Sequence, residues 1–296
     1  AYYFATSLSR ALRIPVGIIC SAYGGSTVEG WISRELLENY PDISLNPDSI
    51  ERLHPMLRPM LMYNAMLKPL QNYTIKGFIW YQGESDTGPE GSKHYERHLI
   101  DLVNDWRTQW NNKNLPFVIV QLANYQQRSK VPVESGNAQV REAQRKASLQ
   151  LKNVGLATAI DLGESNDIHP LNKKDLAHRC VLQMNKLSFG EKNIVAEGPM
   201  AEAAELKENG RIVISFRQGT GSLKQAKSLE GIAIAANDGK YKFVEAYTEG
   251  DKVIALWNGK GIPASIRYAW ENNPPSSIYN TEGLPASSFQ LPIINK

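Results

Sequence analysis

Residues 77–86 read Gly77-Phe78-Ile79-Trp80-Tyr81-Gln82-Gly83-Glu84-Ser85-Asp86, and their polarity changes abruptly in the middle. Phe78 to Tyr81 form an apolar, aromatic run, the pattern of a strand buried on both faces. From Gln82 onward every residue is polar or glycine. A buried strand that stops at a polar cluster delivers side chains to the mouth of a sheet. Gln82 is the last strand-like residue, and Gly83 lets the backbone turn where a ligand must come close. An amide held there can donate a hydrogen bond to a developing oxyanion. The same pattern also suits a plain strand end followed by a polar loop.

The sequence around this stretch alternates strand and helix. Tyr2 to Leu12 has helical spacing, and Pro15 to Cys20 is a short apolar run read as a strand, ending in the turn Ser21 to Ser26. Met56 to Leu70 is predicted helical, Ile75 to Gln82 a strand, and His94 to Trp110 an amphipathic helix with Tyr95, Leu99, Leu102, Val103 and Trp106 on one face. Leu115–Leu122 and Val154–Leu162 follow as strands, Ala138–Leu151 and Leu171–Leu187 as helices. Such alternation implies an α/β fold, a parallel sheet with helices on both faces. Sites in these sheets lie beyond the carboxyl ends of the strands.

The pattern shifts after about residue 195 to short β-type runs at Ile212–Phe216, Gly231–Ala235, Tyr241–Ala246, Lys252–Trp257 and Ala264–Trp270, punctuated by Gly, Asn and Asp. The expected organisation is an α/β domain over 1–195, an antiparallel β-rich segment over 196–271, and an irregular tail over 272–296. The tail carries Tyr279, Leu284, Pro285 and Phe289, so it is expected to pack back on the α/β domain rather than dangle.

Of 296 residues, 42% are hydrophobic and 21% charged, a globular mix, and a net charge of +3 without a Lys/Arg-rich run gives no support for a nucleic-acid partner. No apolar run approaches the ~20 residues that span a bilayer, so no membrane partner is expected, and no secretion signal is visible in these residues. Cys20 and Cys180 sit in apolar stretches and read as buried thiols. His94 and His98 lie four apart on a helix without an acidic metal-binding motif, and read as a solvated face.

Three loops carry the chemistry. Asp167-Ile168-His169-Pro170 places a carboxylate two residues before a histidine, which suits a general base and its orienting acid, or simply a helix start. Ser21-Ala22-Tyr23-Gly24-Gly25-Ser26 is a glycine turn able to present a backbone N–H to an anion. Gln82 is the third element. Each follows a different strand.

Together these stretches resemble the SGNH hydrolase superfamily, within it the sialate O-acetylesterase and acetylxylan esterase-like group. The resemblance rests on Val16 to Ser26, Glu29-Gly30-Trp31, Tyr63 to Met66, Ile75 to Asp86, Arg141 to Gln144, Asp161-Leu162-Gly163 and Asp167 to Pro170, with Arg267 to Trp270 and Leu284 to Ser287 in the tail region. It implies a flavodoxin-like sheet and hydrolysis of carbohydrate O-acetyl esters through a serine acyl-enzyme, without metal or cofactor, in a periplasmic or secreted protein. It maps the catalytic base onto His169, its acid onto Asp167 (Glu164 being the other candidate), and the oxyanion donors onto the Gly25 N–H and Gln82 amide. Trp31, Glu84, Ser85 and Arg141 are the expected substrate-binding residues. The family's nucleophile is the serine of a Gly-Gln-Ser or Gly-Asp-Ser motif on the first strand, and this chain contains neither. Ser21, Ser26 and Ser85 are substitutes only at the cost of other roles. The expectation is therefore an esterase sheet lacking its first strand. The other reading is a binding or scaffold protein that keeps the pocket without catalysis.

Overall fold

The computed structural model describes residues 1–191 and 193–295. Its first sheet contains three parallel strands, β1 (Phe78–Trp80), β2 (Phe117–Val120) and β3 (Val154–Ala157), in that spatial order. Because side chains alternate across a strand, Phe117 and Ile119 join one core and Val118 and Val120 another. Helices α4 (Pro89–Gln109) and α5 (Gly136–Gln150) supply the first core; α1 (Tyr2–Leu12) and α6 (Lys173–Ser188) supply the second. All four β2 side chains are buried, each contributing about 1.5–3 kcal/mol. Two further short helices, α2 (Arg34–Leu37) and α3 (Pro47–Glu51), lie in the long segment before β1.

The helix starts have local causes. Ser135 caps α5 by accepting the Ala138 N–H, and Asn172 caps α6 by accepting that of Asp175. Pro89 sits in the first turn of α4, where its missing N–H costs nothing, and lets that helix begin five residues before the predicted His94.

Two expectations in the α/β part are corrected. Pro15–Cys20 is extended but belongs to no sheet; Ile14, Ile18 and Ile19 are exposed, and so is Cys20. A parallel strand exists through its ladder, and among the described residues β1 pairs only with β2, leaving its other edge open. Cys180 is buried as expected, and burial pushes its thiol up to about 12. Met56–Leu70 is not one helix but short 3₁₀ turns at Pro55–Leu57 and Lys68–Leu70 around a π-helical turn at Tyr63–Leu67. Pro59 and Pro69 withhold N–H donors there, and Met60 takes a left-handed φ of 62°.

The second sheet has eight strands in the order β7-β6-β10-β11-β4-β5-β9-β8. They are β4 (Ala201–Leu206), β5 (Arg211–Phe216), β6 (Ile232–Ala236), β7 (Lys242–Phe243), β8 (Ala246–Glu249), β9 (Lys252–Leu256), β10 (Pro263–Tyr268) and β11 (Phe289–Asn295). Three were not foreseen, and one of them, β8, meets the predicted Tyr241–Ala246 run only at Ala246. The sequence of β4, Ala-Glu-Ala-Ala-Glu-Leu, favours helix, and pairing with β5 and β11 overrides it. β11 lies in the tail predicted to be irregular, and it contains Pro292. The β4 ladder starts only at Ile293, so the missing N–H of Pro292 interrupts no bond to β4. β11 runs parallel to β4, the one parallel pairing in this sheet among the described residues.

Candidate active site

Gln82 leaves β1 at its carboxyl end and is nearly buried. Gly83 then turns with φ 142°, and a Cβ there would lie 2.9 Å from Val140 Cγ1, so glycine is required twice over. The Gln82 carboxamide is held on every side. Tyr95 Oη donates to its backbone oxygen (2.9 Å) and to Oε1 (3.0 Å). Gln144 Nε2 also donates to the backbone oxygen (3.1 Å). Nε2 of Gln82 donates to the Ser26 carbonyl at 2.9 Å and, more closely still, to Asp86 Oδ2.

Asp86 is buried, and its Oδ1 accepts the Val28 N–H at 3.4 Å. Desolvation first, then the neighbouring Glu29 charge, raises its carboxyl to about 8. Glu29 itself is lowered: burial opposes ionisation, but the hydrogen bond and charge of His98 outweigh it. His98 Nδ1 lies 2.9 Å from Glu29 Oε1. This corrects the reading of His98 as solvated, since the side chain is buried between Tyr40 and His94.

The glycine turn lies over this strand end. Gly25 has φ 76°, and Met56 Sδ sits 2.9 Å from where a Cβ would be. Ser85 Oγ donates to the Gly25 carbonyl at 2.8 Å. Thus the Gly25–Ser26 turn meets Gln82 and Ser85, 56 and 60 residues further along the chain from their partners there, at the carboxyl end of β1.

His169 lies in the loop before α6, with its side chain 85% exposed. Asp167 Oδ1 accepts the His169 backbone N–H at 2.8 Å and stands 3.4 Å from its Nδ1. The carboxylate that reaches the ring is thus Asp167's. His169 also lies within electrostatic reach of Glu84. Burial raises the Glu84 carboxyl, while the charges of His169 and Lys173 work against that rise. Lys173 hangs over the Tyr81 ring at 5.6 Å.

Two expected substrate contacts are corrected. Arg141 is fully buried and donates from Nε to Ser288 Oγ and from Nη2 to the Ala269 and Glu271 carbonyls. It joins α5 to the tail and reaches no surface. Burial lowers its guanidinium to about 9. Trp31 is buried against Trp80, with Nε1 donating to Ser26 Oγ at 2.8 Å, so no ring face is open to a sugar. The three serines weighed as nucleophiles each donate their hydroxyl to a carbonyl: Ser21 to Met66, Ser26 to Tyr23 and Ser85 to Gly25. Sequence reasoning passed over Asp86, Tyr95 and the Glu29–His98 pair. The visible signal was Asp86 four residues after Gln82, one turn away.

A parallel sheet with polar loops gathered at its carboxyl ends, joined to a β-sheet unit, is an architecture shared with a known carbohydrate esterase. A solved carbohydrate acetylesterase from Xanthomonas citri superimposes with a TM-score of 0.86 at 34% identity, over 98% of this chain and 64% of that one. The model of the carbohydrate esterases termed sialic acid-specific acetylesterases matches residues 1–178, and the chain belongs to that family. The sialate O-acetylesterases of Homo sapiens and Mus musculus are 28% and 27% identical to it over 97% of its length. The chain spans 59% and 62% of those two relatives.

Proposed function

We propose that this chain is the greater part of a carbohydrate O-acetylesterase, which hydrolyses acetyl esters on an acetylated sugar such as sialic acid through a serine acyl-enzyme. The observation that carries the reading is the meeting of the Gly25 turn, Gln82 and Ser85 at the end of β1; His169, whose charge acts on Glu84, is read as part of the same site. Membership of the acetylesterase family supports it. His169 takes the proton of the nucleophile, and Asp167 orients the imidazole. The tetrahedral oxyanion is met by the Gly25 N–H and by the Gln82 hydrogen that now faces the Ser26 carbonyl. The sugar hydroxyl leaves with the His169 proton, and water then releases acetate by the reverse route.

The serine belongs to a segment outside these 296 residues, added as a further strand on the open edge of β1. Support comes from that unpaired edge, from exposed Ile18, Ile19 and Ile79 beside the expected first-strand position, and from the engaged hydroxyls of Ser21, Ser26 and Ser85. Among the described residues no helix is long and apolar enough to cross a membrane, and a periplasmic or secreted location is part of this reading. The test is acetate release from O-acetylated sialic acid by the full-length polypeptide. Turnover there, with none from residues 1–296 alone, supports the proposal. Turnover by residues 1–296 that disappears in Ser26→Ala or Ser85→Ala contradicts the assignment of the nucleophile.

A further inference from the structure

We propose that Asp86, acting with Tyr95, is a positioning residue that fixes the orientation of the Gln82 carboxamide. Asp86 takes one N–H inward, Tyr95 holds Oε1, and a single N–H is left facing the Gly25–Ser26 turn. The inference rests on the oxyanion role proposed for Gln82, but the clamp itself is a structural claim and is tested separately.

A glutamine side chain ordinarily has three rotatable bonds and two interchangeable faces, so an isolated amide at a strand end points nowhere in particular. Here the choice is removed. The Ser26 carbonyl accepts only, and so does the ionised Asp86 carboxylate, so both call for Nε2 and exclude the flipped amide; Tyr95 Oη completes the setting by sharing its hydrogen between Oε1 and the Gln82 carbonyl. Asp86 then binds the second hydrogen and, through its other oxygen, the Val28 N–H. One buried carboxyl therefore ties the amide to the segment that follows the glycine turn.

A carboxylate accepts both donors without conflict, whereas a carboxylic acid uses one oxygen as a donor. The clamp is consequently tighter with Asp86 ionised. The charged or titratable groups around Asp86 are Glu29 after the glycine turn, Glu84 beside it in sequence, Tyr95 from α4, and His98 from α4 acting through Glu29. Burial and the two acidic neighbours raise the Asp86 carboxyl to about 8, so the switch between the two states falls in an accessible pH range.

The decisive experiment follows the Gln82 side-chain amide by ¹⁵N NMR in residues 1–296, assigned by its loss in Gln82→Glu, from pH 6 to 9.5. The expected result is a titration near pH 8 that is absent in Asp86→Asn, with faster amide exchange over residues 25–28 in that variant. A titration that persists in Asp86→Asn, or none in the parent, overturns the proposal. Should Asp86→Asn fail to fold, Tyr95→Phe supplies the same test: it removes the Oε1 donor, and an unchanged Gln82 amide resonance is the contrary result. In the full-length polypeptide, Asp86→Asn is expected to lower kcat by about 10- to 100-fold with KM little changed, and to abolish the rise in activity near pH 8. Equal losses in kcat at every pH would mark a merely structural role and overturn it. Intact NMR behaviour in a polypeptide that releases no acetate would instead count against the esterase reading and leave the clamp standing.

Discussion

His169 and Asp86 sit at opposite extremes of solvation, and their substitutions should separate accordingly. His169 is exposed and bonded only through its own loop, so His169→Ala leaves folding untouched. Loss of a general base costs about 10²- to 10⁴-fold, and acetate release by the full-length polypeptide should fall by that much at an unchanged melting temperature. Asp86 is coupled to stability instead. Its carboxyl titrates at 3.8 when unperturbed and about 8 in the fold. A group with a raised folded pKa stabilises fully below the unfolded value, and that contribution is lost as pH rises through the folded one. The melting temperature of the parent should therefore fall relative to that of Asp86→Asn as pH rises from about 4 to about 8. Parallel melting profiles across that range would contradict the burial-driven shift. At this scale the sequence marked Gln82, Gly25 and His169 as candidates, because each follows an apolar run. Arg141 and Trp31 misled because a polar or aromatic residue in a motif reads alike whether it faces substrate or a neighbouring element.

Among the elements, α5 and the tail are joined by one side chain. Arg141→Ala removes the donor to Ser288 Oγ and to two carbonyls in a fully buried place. Unsatisfied buried groups cost about 1–3 kcal/mol each, so a loss of roughly 3 kcal/mol in unfolding free energy is expected, read as a lower urea midpoint at an unchanged slope. A loss below a few tenths would mean that solvent replaces the guanidinium. The tail itself offers a larger test. Phe289 and Leu291 are buried in the second sheet, and β11 is hydrogen-bonded on both sides, to β10 and β4. Truncation after Asn272 should therefore abolish cooperative unfolding of that sheet; a truncated chain that keeps the parent melting temperature contradicts it. The strands read correctly were those with alternating β-branched residues, such as Arg211–Phe216. β4 and β11 were missed because alanine, glutamate and a proline carry no local β signal, and only their partners in the sheet make them strands.

For the molecule as a whole, the open edge of β1 is the outstanding feature. Helices cover β2 and β3, while Ile79 of β1 and Ile18 and Ile19 of the unpaired Pro15–Cys20 segment stay exposed. The α/β class was legible from the alternation of strands and helices, but a strand without its neighbour gives the same apolar run as one within a sheet. If a further strand occupies this edge in the full-length polypeptide, the Val16–Cys20 amides should be protected from exchange there and unprotected in residues 1–296. Equal protection in both would contradict a further strand docking on this edge.

The central claim is a serine esterase centred on Gln82 and His169, with its nucleophile supplied by a segment that docks on β1. Labelling the full-length polypeptide with a fluorophosphonate and locating the adduct by mass spectrometry tests it most directly. The account predicts one modified serine, outside residues 1–296, with labelling that is strongly slowed in His169→Ala. An adduct on Ser21, Ser26 or Ser85, or labelling indifferent to His169, would contradict it.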